Sequence, residues 1–473
     1  MYFSPKITSF EGRVPCLNRL RAGLMWGGLV FAPWAFGSTQ TWAIIALNLA
    51  GTLLGMLWLA DQLPHAEGKP KTFPPRDWTT ICLAVATVML LLYSLLAALN
   101  AQSAFDAASG AFRPLPHFDW LPRSCDRAAS WLAFWQNLAL AGTFWAVRDW
   151  LLQSPGTPAV DILSNHTGLL PKRARTFLFF LATNGFLLAV VALLQRLDGT
   201  NKLLWLRVPH INQTADGQFG PFAYRSNGLQ YLALVWPLAL ASWSMLTHAQ
   251  RDETLVGSGR RGWLLLCALA MAICPLLWAS RLGVAVAAAM ILLAAAILLR
   301  SHPVSRRRII FLAGFGGIIA LGLILNGHGL VARFSAQGLH SDERMKLLRA
   351  GLDIFRENWL WGTGPGSFPA MYFLYRPDNH AVWLAQMHCD WLQTLATYGV
   401  AGSILLGAAL VALIFSPAQS GKLPARTSFI LLIGLGLAGC LAHATVDFPF
   451  QIYAIQHLFV MLAAFFSTLS VKP

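Results

Sequence analysis

Residues 78–99 read WTTICLAVATVMLLLYSLLAAL, 22 residues without a charge. Coiled as a helix at 1.5 Å per residue they reach about 33 Å, which matches the roughly 30 Å hydrocarbon core of a bilayer. A soluble fold has no place for so long a run with apolar side chains all round. The stretch reads as a membrane span.

It is not alone. The chain has 473 residues, of which 56% are hydrophobic and only 12% charged, and its mean hydropathy is +0.54. Globular domains carry about a quarter charged residues, so half the usual ionic surface is missing. Apolar runs recur at about 22–36, 41–61, 78–99, 129–151, 174–195, 227–247, 262–279, 282–300, 308–326, 399–416, 428–446 and 450–470. The expected fold is all-α: one integral membrane domain, 1–473, of about 12 transmembrane helices. No soluble domain is expected before or after the bundle. The first run follows Lys6, Arg13, Arg19 and Arg21 without a convincing cleavage site, and is read as a span rather than a signal peptide.

The net charge of +15 would point to nucleic acid in a soluble protein, but its placement here points to the membrane instead. With the N-terminus cytoplasmic, 21 of the 35 lysines and arginines fall on inner segments, and every inner connection is basic. That is the positive-inside pattern. Both termini are therefore expected in the cytoplasm. The seven cysteines are odd in number, and Cys82, Cys267, Cys274 and Cys440 lie within apolar runs. Neither a disulfide framework nor a C-x-x-C metal pattern is present.

Outside lie segments of about 100–128, 196–226 and, longest, 327–398. Loops of that length carry function or helices of their own. In the long loop Ser341 is expected to cap a helix opening with Asp342 and Glu343. The helical period then places Arg344 in line with Leu347, Leu348, Gly351 and Phe355, toward the bundle, with Lys346, Arg349, Asp353 and Arg356 on the wet side. Further on, MHCDWLQTLATYGVAG (387–402) puts His388 on a helical face with Trp391, Leu392, Leu395 and Gly399, while Asp390, Gln393, Thr394 and Thr397 point elsewhere. A lone histidine on an apolar face is ordinarily a satisfied core residue. Here company argues for chemistry.

Arg281, in WASRLGVAVAAAM (278–290), sits at a tight outer turn, where an arginine either meets a cavity or snorkels to headgroups. Arg225 precedes the sixth span on the same side, as an anion ligand or a helix anchor. Gly362, Gly364 and Gly366 in GTGPGSF resemble a nucleotide loop only in spacing: no strand precedes them, and a tight turn that folds the loop back on the bundle fits better. His443 and Asp447, four residues apart at the outer end of a span, are spaced so that they could bond to each other, either in the site or as a pin for the helix end. The first outer loop, GSTQ (37–40), holds no carboxylate, and no D-x-D occurs in the chain. A metal-free chemistry without cofactors is expected.

SRLGVAVAAAM (280–290), DERMKLLRAGLDIFRENWLWGTGPGSF (342–368) and MHCDWLQTLATYGVAG together resemble, in order and spacing, the core of the O-antigen ligase and polymerase family of bacterial envelope glycosyltransferases. The similarity covers about 215–455. Cys389 stands where asparagine is common, and HATVDFPFQI (443–452) is similar to the ending of a branch often found with exopolysaccharide genes. The resemblance implies that Arg281 and Arg344, with Arg225, hold the diphosphate of an undecaprenyl-linked glycan donor. It also implies that His388 activates the acceptor hydroxyl, supported by His443, Asp447, Gly364 and Gly366. The acceptor would be lipid A-core for a ligase or a second lipid-linked glycan for a polymerase, at the periplasmic face of the inner membrane, among membrane lipids and without nucleic acid. Guanidinium forks suit a diphosphate whose charge grows as the glycosidic bond breaks, and an imidazole with a pKa near 6.5 suits proton removal near neutrality.

The competing class is a twelve-span transporter or lipid flippase. That class favours internal repeats with broken helices at matching positions near mid-membrane. This chain shows no such repeat, and gathers its polar groups at the outer edge.

Overall fold

The computed structural model describes residues 13–62, 78–106, 108–152, 170–248, 258–278, 281–301, 316–317, 338–376, 386–419 and 424–469. Among them are thirteen α-helices: α1 Arg13–Trp34, α2 Thr41–Gln62, α3 Trp78–Leu99, α4 Arg127–Leu152, α5 Lys172–Asp198, α6 Arg225–His248, α7 Ser258–Trp278, α8 Arg281–Ser301, α9 Gly338–Glu357, α10 Phe368–Tyr375, α11 Asp390–Phe415, α12 Pro424–His443 and α13 Tyr453–Thr468. The bundle is helical as expected, with one addition. β1 (Ser103–Asp106) and β2 (Ala111–Pro114) form an antiparallel hairpin pairing Ser103 with Pro114 and Asp106 with Ala111. Its turn needs Gly110 at a φ of 63°, and Arg113 closes on Asp106 at 2.8 Å.

The expected count of twelve spans is reached only in part. Among the described residues seven helices (α2, α3, α5, α6, α7, α8 and α11) are long and apolar enough to cross a bilayer, and 427–443 and 453–468 form shorter apolar helices. α1 and α4 share the bundle but fall outside those seven. The ninth expected span, 308–326, lies outside the described residues except for 316–317, as do most of the basic connections and parts of the long loop, 327–337 and 377–385.

α6 is the axle. Of its apolar window 89% is buried, against 22–50% in the other six spans. A helix apolar on every side must be surrounded, and α5, α7, α8, α12 and α13 all pack on α6. The other spans turn one face outward, where Leu49, Met56, Val85, Leu187 and Leu292 are exposed in the manner of lipid-facing residues. α2 and α4 approach backbone to backbone: a Cβ on Gly51 would lie 2.6 Å from the Ala139 carbonyl, and one on Gly55 2.8 Å from the Gly142 Cα. Small residues at helix crossings let membrane helices gain close van der Waals contact.

Two expectations about helix edges change. α9 begins at Gly338, so Ser341 lies inside the helix rather than capping it. Gly338, Leu339 and His340 continue the same helical path, which a cap signal alone could not reveal. His388 is not helical at all. Its φ is 58°, and α11 starts two residues later at Asp390.

Candidate functional site

The site is built where three separate stretches meet: the entry to α6, the residues before α11, and the turn between α12 and α13. The imidazole Nδ1 of His388 lies 3.1 Å from Asp447 Oδ1. The other carboxylate oxygen of Asp447 accepts a 2.9 Å hydrogen bond from Gln230 Nε2, one turn into α6. The side-chain partnership that the spacing allows His443 and Asp447 is replaced by this arrangement. The chain turns after α12, so the Asp447 backbone N–H bonds to the His443 carbonyl at 2.9 Å while its carboxylate swings toward His388. His443 itself is buried.

Aromatic rings frame the imidazole. The Phe448 and Tyr224 rings stack with centroids 5.7 Å apart and planes 9° from parallel. His388 meets Phe448 edge-on at 4.7 Å and Tyr224 edge-on at 6.3 Å. The His388 side chain remains 23% exposed and that of Asp447 10%. An imidazole so placed has one nitrogen committed to a carboxylate and the other available to a visitor. With the carboxylate accepting, Nδ1 carries the proton and Nε2 is left as the acceptor.

The left-handed backbone at His388 is costly for a residue with a Cβ and survives only where the surroundings dictate it. Two side chains do so. Gln393 reaches back from the first turn of α11, accepting the Met387 backbone N–H at 2.9 Å and donating to Gln386 Oε1 at 2.8 Å. Asp390 ties the far side: its N–H bonds to the Ala444 carbonyl at 2.8 Å and the Asp447 carbonyl at 3.3 Å. Its carboxylate accepts from the Phe450 N–H at 2.7 Å and from Gln451 Nε2 at 2.8 Å. Asp390 therefore holds the Asp447 turn in register with His388. Here the expected helical facing is reversed: Asp390 is only 2% exposed, with Gln393 and Thr397 also buried, whereas Trp391 is 40% exposed. Apolar periodicity misleads when the apolar side of the helix faces lipid and the polar side lines a site.

The glycine turn supports α11 from beneath. α11 breaks at Gly399 (φ 60°, ψ −171°), which frees carbonyls one turn back. The Thr363 and Gly364 N–H groups take them, bonding to Ala396 O at 3.0 Å and Thr397 O at 2.9 Å, while Val400 N–H reaches Trp359 O at 2.8 Å and Ala401 N–H reaches Leu360 O at 3.1 Å. Such backbone proximity excludes side chains. Gly362, Gly364 and Gly366 have φ of 67°, 98° and 79°, and a Cβ at each would strike Thr397, Ser124 and Ala129 respectively. Tyr93 of α3 pins both partners, donating to the Trp361 and Tyr398 carbonyls. GTGPGSF is thus a packing turn, as its sequence context suggested.

The arginines are placed less uniformly. Arg225 opens α6 beside Tyr224, and its Nη1 donates to the Asp216 carbonyl at 3.1 Å. Arg344 is exposed on α9 rather than directed into the bundle, while Leu347, Ala350, Gly351 and Ile354 form the buried face. Arg349, Asp353 and Arg356 are exposed, as expected of the wet side. The Tyr224 phenol is pushed above its ordinary pKa by burial first and by Asp447 second, and is drawn back by its hydrogen bond with Ser226 and by the charges of Arg344 and Arg225. Arg281 is the first residue of α8, and its side chain lies outside the described residues.

Five residues of this site escape a sequence reading: Gln230, Asp390, Gln393, Tyr224 and Phe448. Gln230 left a signal, as a lone amide within the apolar run LQYLALVW. The others did not, because their roles arise only when the α12–α13 turn folds over the start of α11.

Residues 266–407 match the family model described as O-antigen ligase. The match supports the O-antigen ligase and polymerase family that the motifs resemble. It takes in Arg281, α9, the glycine turn, His388 and the first two thirds of α11, and leaves out Tyr224, Gln230 and Asp447. No curated protein matches the chain.

Proposed function

We propose that the chain is a membrane glycosyltransferase that moves a glycan from undecaprenyl diphosphate to a hydroxyl acceptor at the periplasmic face of the bacterial inner membrane, with both termini in the cytoplasm. The observation that carries the reading is the Asp447–His388 pair, set among aromatic rings at one end of a membrane bundle. In this reading Asp447 orients the imidazole, and His388 Nε2 takes the proton of the acceptor hydroxyl as its oxygen attacks the anomeric carbon. The bond from that carbon to the diphosphate oxygen breaks, and polyprenyl diphosphate leaves with the electron pair. Arg281, Arg344 and Arg225 hold the diphosphate and offset the charge that accumulates on it, without a metal ion or cofactor. The place of Arg225 at the entry to α6, next to Tyr224, supports its part in this assignment.

The test uses the purified full chain in proteoliposomes, a synthetic undecaprenyl-diphosphate oligosaccharide as donor, and either lipid A-core or a second lipid-linked unit as acceptor. Growth of lipid A-core marks a ligase, and growth of the lipid-linked unit a polymerase. Loss of either product in His388→Ala with an unchanged thermal melt supports the assignment. Undiminished transfer by that variant, or growth of neither acceptor, overturns it.

A further inference from the structure

The connection between α5 and α6 carries an unusual surface. Over residues 201–212 (NKLLWLRVPHIN) the chain exposes Trp205, Leu206, Val208 and Ile211, with Leu206 74% and Ile211 58% accessible, and between them the basic Lys202, Arg207 and His210. Water is a poor partner for four large apolar side chains on one short loop.

The loop is built to present them. Leu204 and Trp205 both adopt left-handed backbone, with φ of 51° and 59°. Two such residues in succession without glycine are strained, and need outside support. Two buried amides supply it. Gln195 Nε2 donates to the Lys202 carbonyl at 2.7 Å, and Gln218 Nε2 to the carbonyls of Asn201 and Asn212 at 2.9 Å each. The Trp205 indole N–H is fixed on Asp198 Oδ2 at 2.9 Å, and Arg207 Nη1 on Gln40 Oε1 at 3.0 Å, just ahead of α2. The exposed tip is therefore rigid, and its apolar side chains are held outward.

Its surroundings say what covers it. At its base α5 exposes Leu194 and Leu197, and across the Arg207–Gln40 bridge α2 exposes Trp42, Ile45 and Leu49. Both are faces of helices long and apolar enough to cross a bilayer, so the apolar tip continues the outward apolar surface of the bundle. The loop lies at the same end as His388, through Gln218, whose carbonyl accepts from Trp278 Nε1 at 2.8 Å, and through Tyr224. Tryptophan and basic side chains together are the composition of a membrane–water boundary, where indole sits at headgroup depth and cations meet lipid phosphates.

We propose that residues 201–212 form an interfacial membrane anchor, lying in the bilayer leaflet at the His388 end of the bundle. Trp205, Leu206, Val208 and Ile211 enter among the upper acyl chains, and Lys202 and Arg207 sit level with the phosphates. The anchor rests on the membrane-spanning nature of α2 and α5, not on the transfer reaction. It fixes the depth of the α6 entry, where Tyr224 and Gln230 stand, relative to the lipid surface.

The experiment reads depth directly. Leu206→Cys and Lys202→Cys are introduced singly into the full chain with its seven native cysteines replaced, labelled with an environment-sensitive fluorophore, and reconstituted one chain per nanodisc. Leu49→Cys on α2 and Arg113→Cys on the hairpin serve as lipid and water references. The label at 206 is expected to emit to the blue of that at 113, and to be quenched several-fold more strongly by lipids nitroxide-labelled high on the acyl chain than by iodide. The label at 202 is expected to be quenched most by a headgroup nitroxide. Iodide quenching at 206 equal to that at 113 overturns the proposal. A second measurement keeps the native cysteines: benzophenone-alanine in place of Leu206 is photolysed in proteoliposomes, where two chains can meet. A phospholipid mass adduct supports the anchor; a covalent protein dimer assigns the surface to a second copy and overturns it.

Discussion

Asp447 Oδ1 stands 3.1 Å from His388 Nδ1 across 59 residues of sequence. A carboxylate at that nitrogen orients the imidazole and, accepting from Nδ1–H, leaves Nε2 as an acceptor, which in the proposed reaction is the base. Asp447→Asn keeps the size but not the charge, and its amide can turn an N–H toward Nδ1 and favour the wrong tautomer. The expected loss in transfer rate is of the size general-base catalysis contributes, roughly 10²- to 10⁴-fold. Initial rates in proteoliposomes measure it, and an unchanged melting curve separates it from misfolding. A loss below about tenfold would deny the pair its part.

Gln230 holds the second oxygen of Asp447 at 2.9 Å from inside α6. A hydrogen bond to a charged group contributes about 1.5–3 kcal/mol, so Gln230→Leu should slow turnover by roughly ten- to a hundredfold if the whole interaction serves orientation. Because Gln230 acts through Asp447, kcat should fall while the donor KM stays. Gln230→Glu should be worse, since it sets a second carboxylate against the first. A change confined to KM would mean that Gln230 touches substrate instead.

How much of this was written in the sequence depends on which solvent each residue faces. The spans around 41–61, 78–99 and 174–195 were legible because lipid imposes length and apolarity on a helix. The glycine turn was legible as a turn, because Gly362, Gly364 and Gly366 need positive φ. The facing of α11 was not. Periodicity marks Trp391 and Leu395 as an apolar stripe, but cannot tell a stripe that faces protein from one that faces lipid. Asp390 and Gln393 therefore looked peripheral while they hold the pocket together. The side-chain partner of Asp447 is hidden for a related reason: an i, i+4 rule presumes a continuous helix, and α12 ends at His443.

The turn that carries α11 should tolerate no side chain. At Gly364 a Cβ meets Ser124, and φ is 98°. Gly364→Ala should cost the strain of a forbidden backbone, about 1–3 kcal/mol, plus the displacement of Ser124. Gly407→Ala on the same helix α11 meets open space, and should leave stability unchanged or slightly raised, since alanine favours helix. Thermal melts in detergent distinguish the two. Equal melts would mean that the turn yields, and that the backbone bonds from Thr363 and Gly364 to α11 are dispensable.

Arg344 and Arg349 make the sharpest comparison, because both are exposed arginines on α9, five residues apart. Of the two, it is the charge of Arg344 that draws the Tyr224 phenol down. If it meets the donor diphosphate, Arg344→Ala should abolish detectable glycan transfer while the chain stays folded. Arg344→Lys should recover only part of it, since an ammonium cannot match two phosphate oxygens as a guanidinium fork does. Arg349→Ala should remain within about twofold of the parent, as expected of a solvated surface charge. The measurement is donor binding by titration of the lipid-linked oligosaccharide, alongside the transfer rate. Equal losses from both alanine variants would reduce Arg344 to one charge among several on a wet helix, and would leave the diphosphate to Arg281 and Arg225.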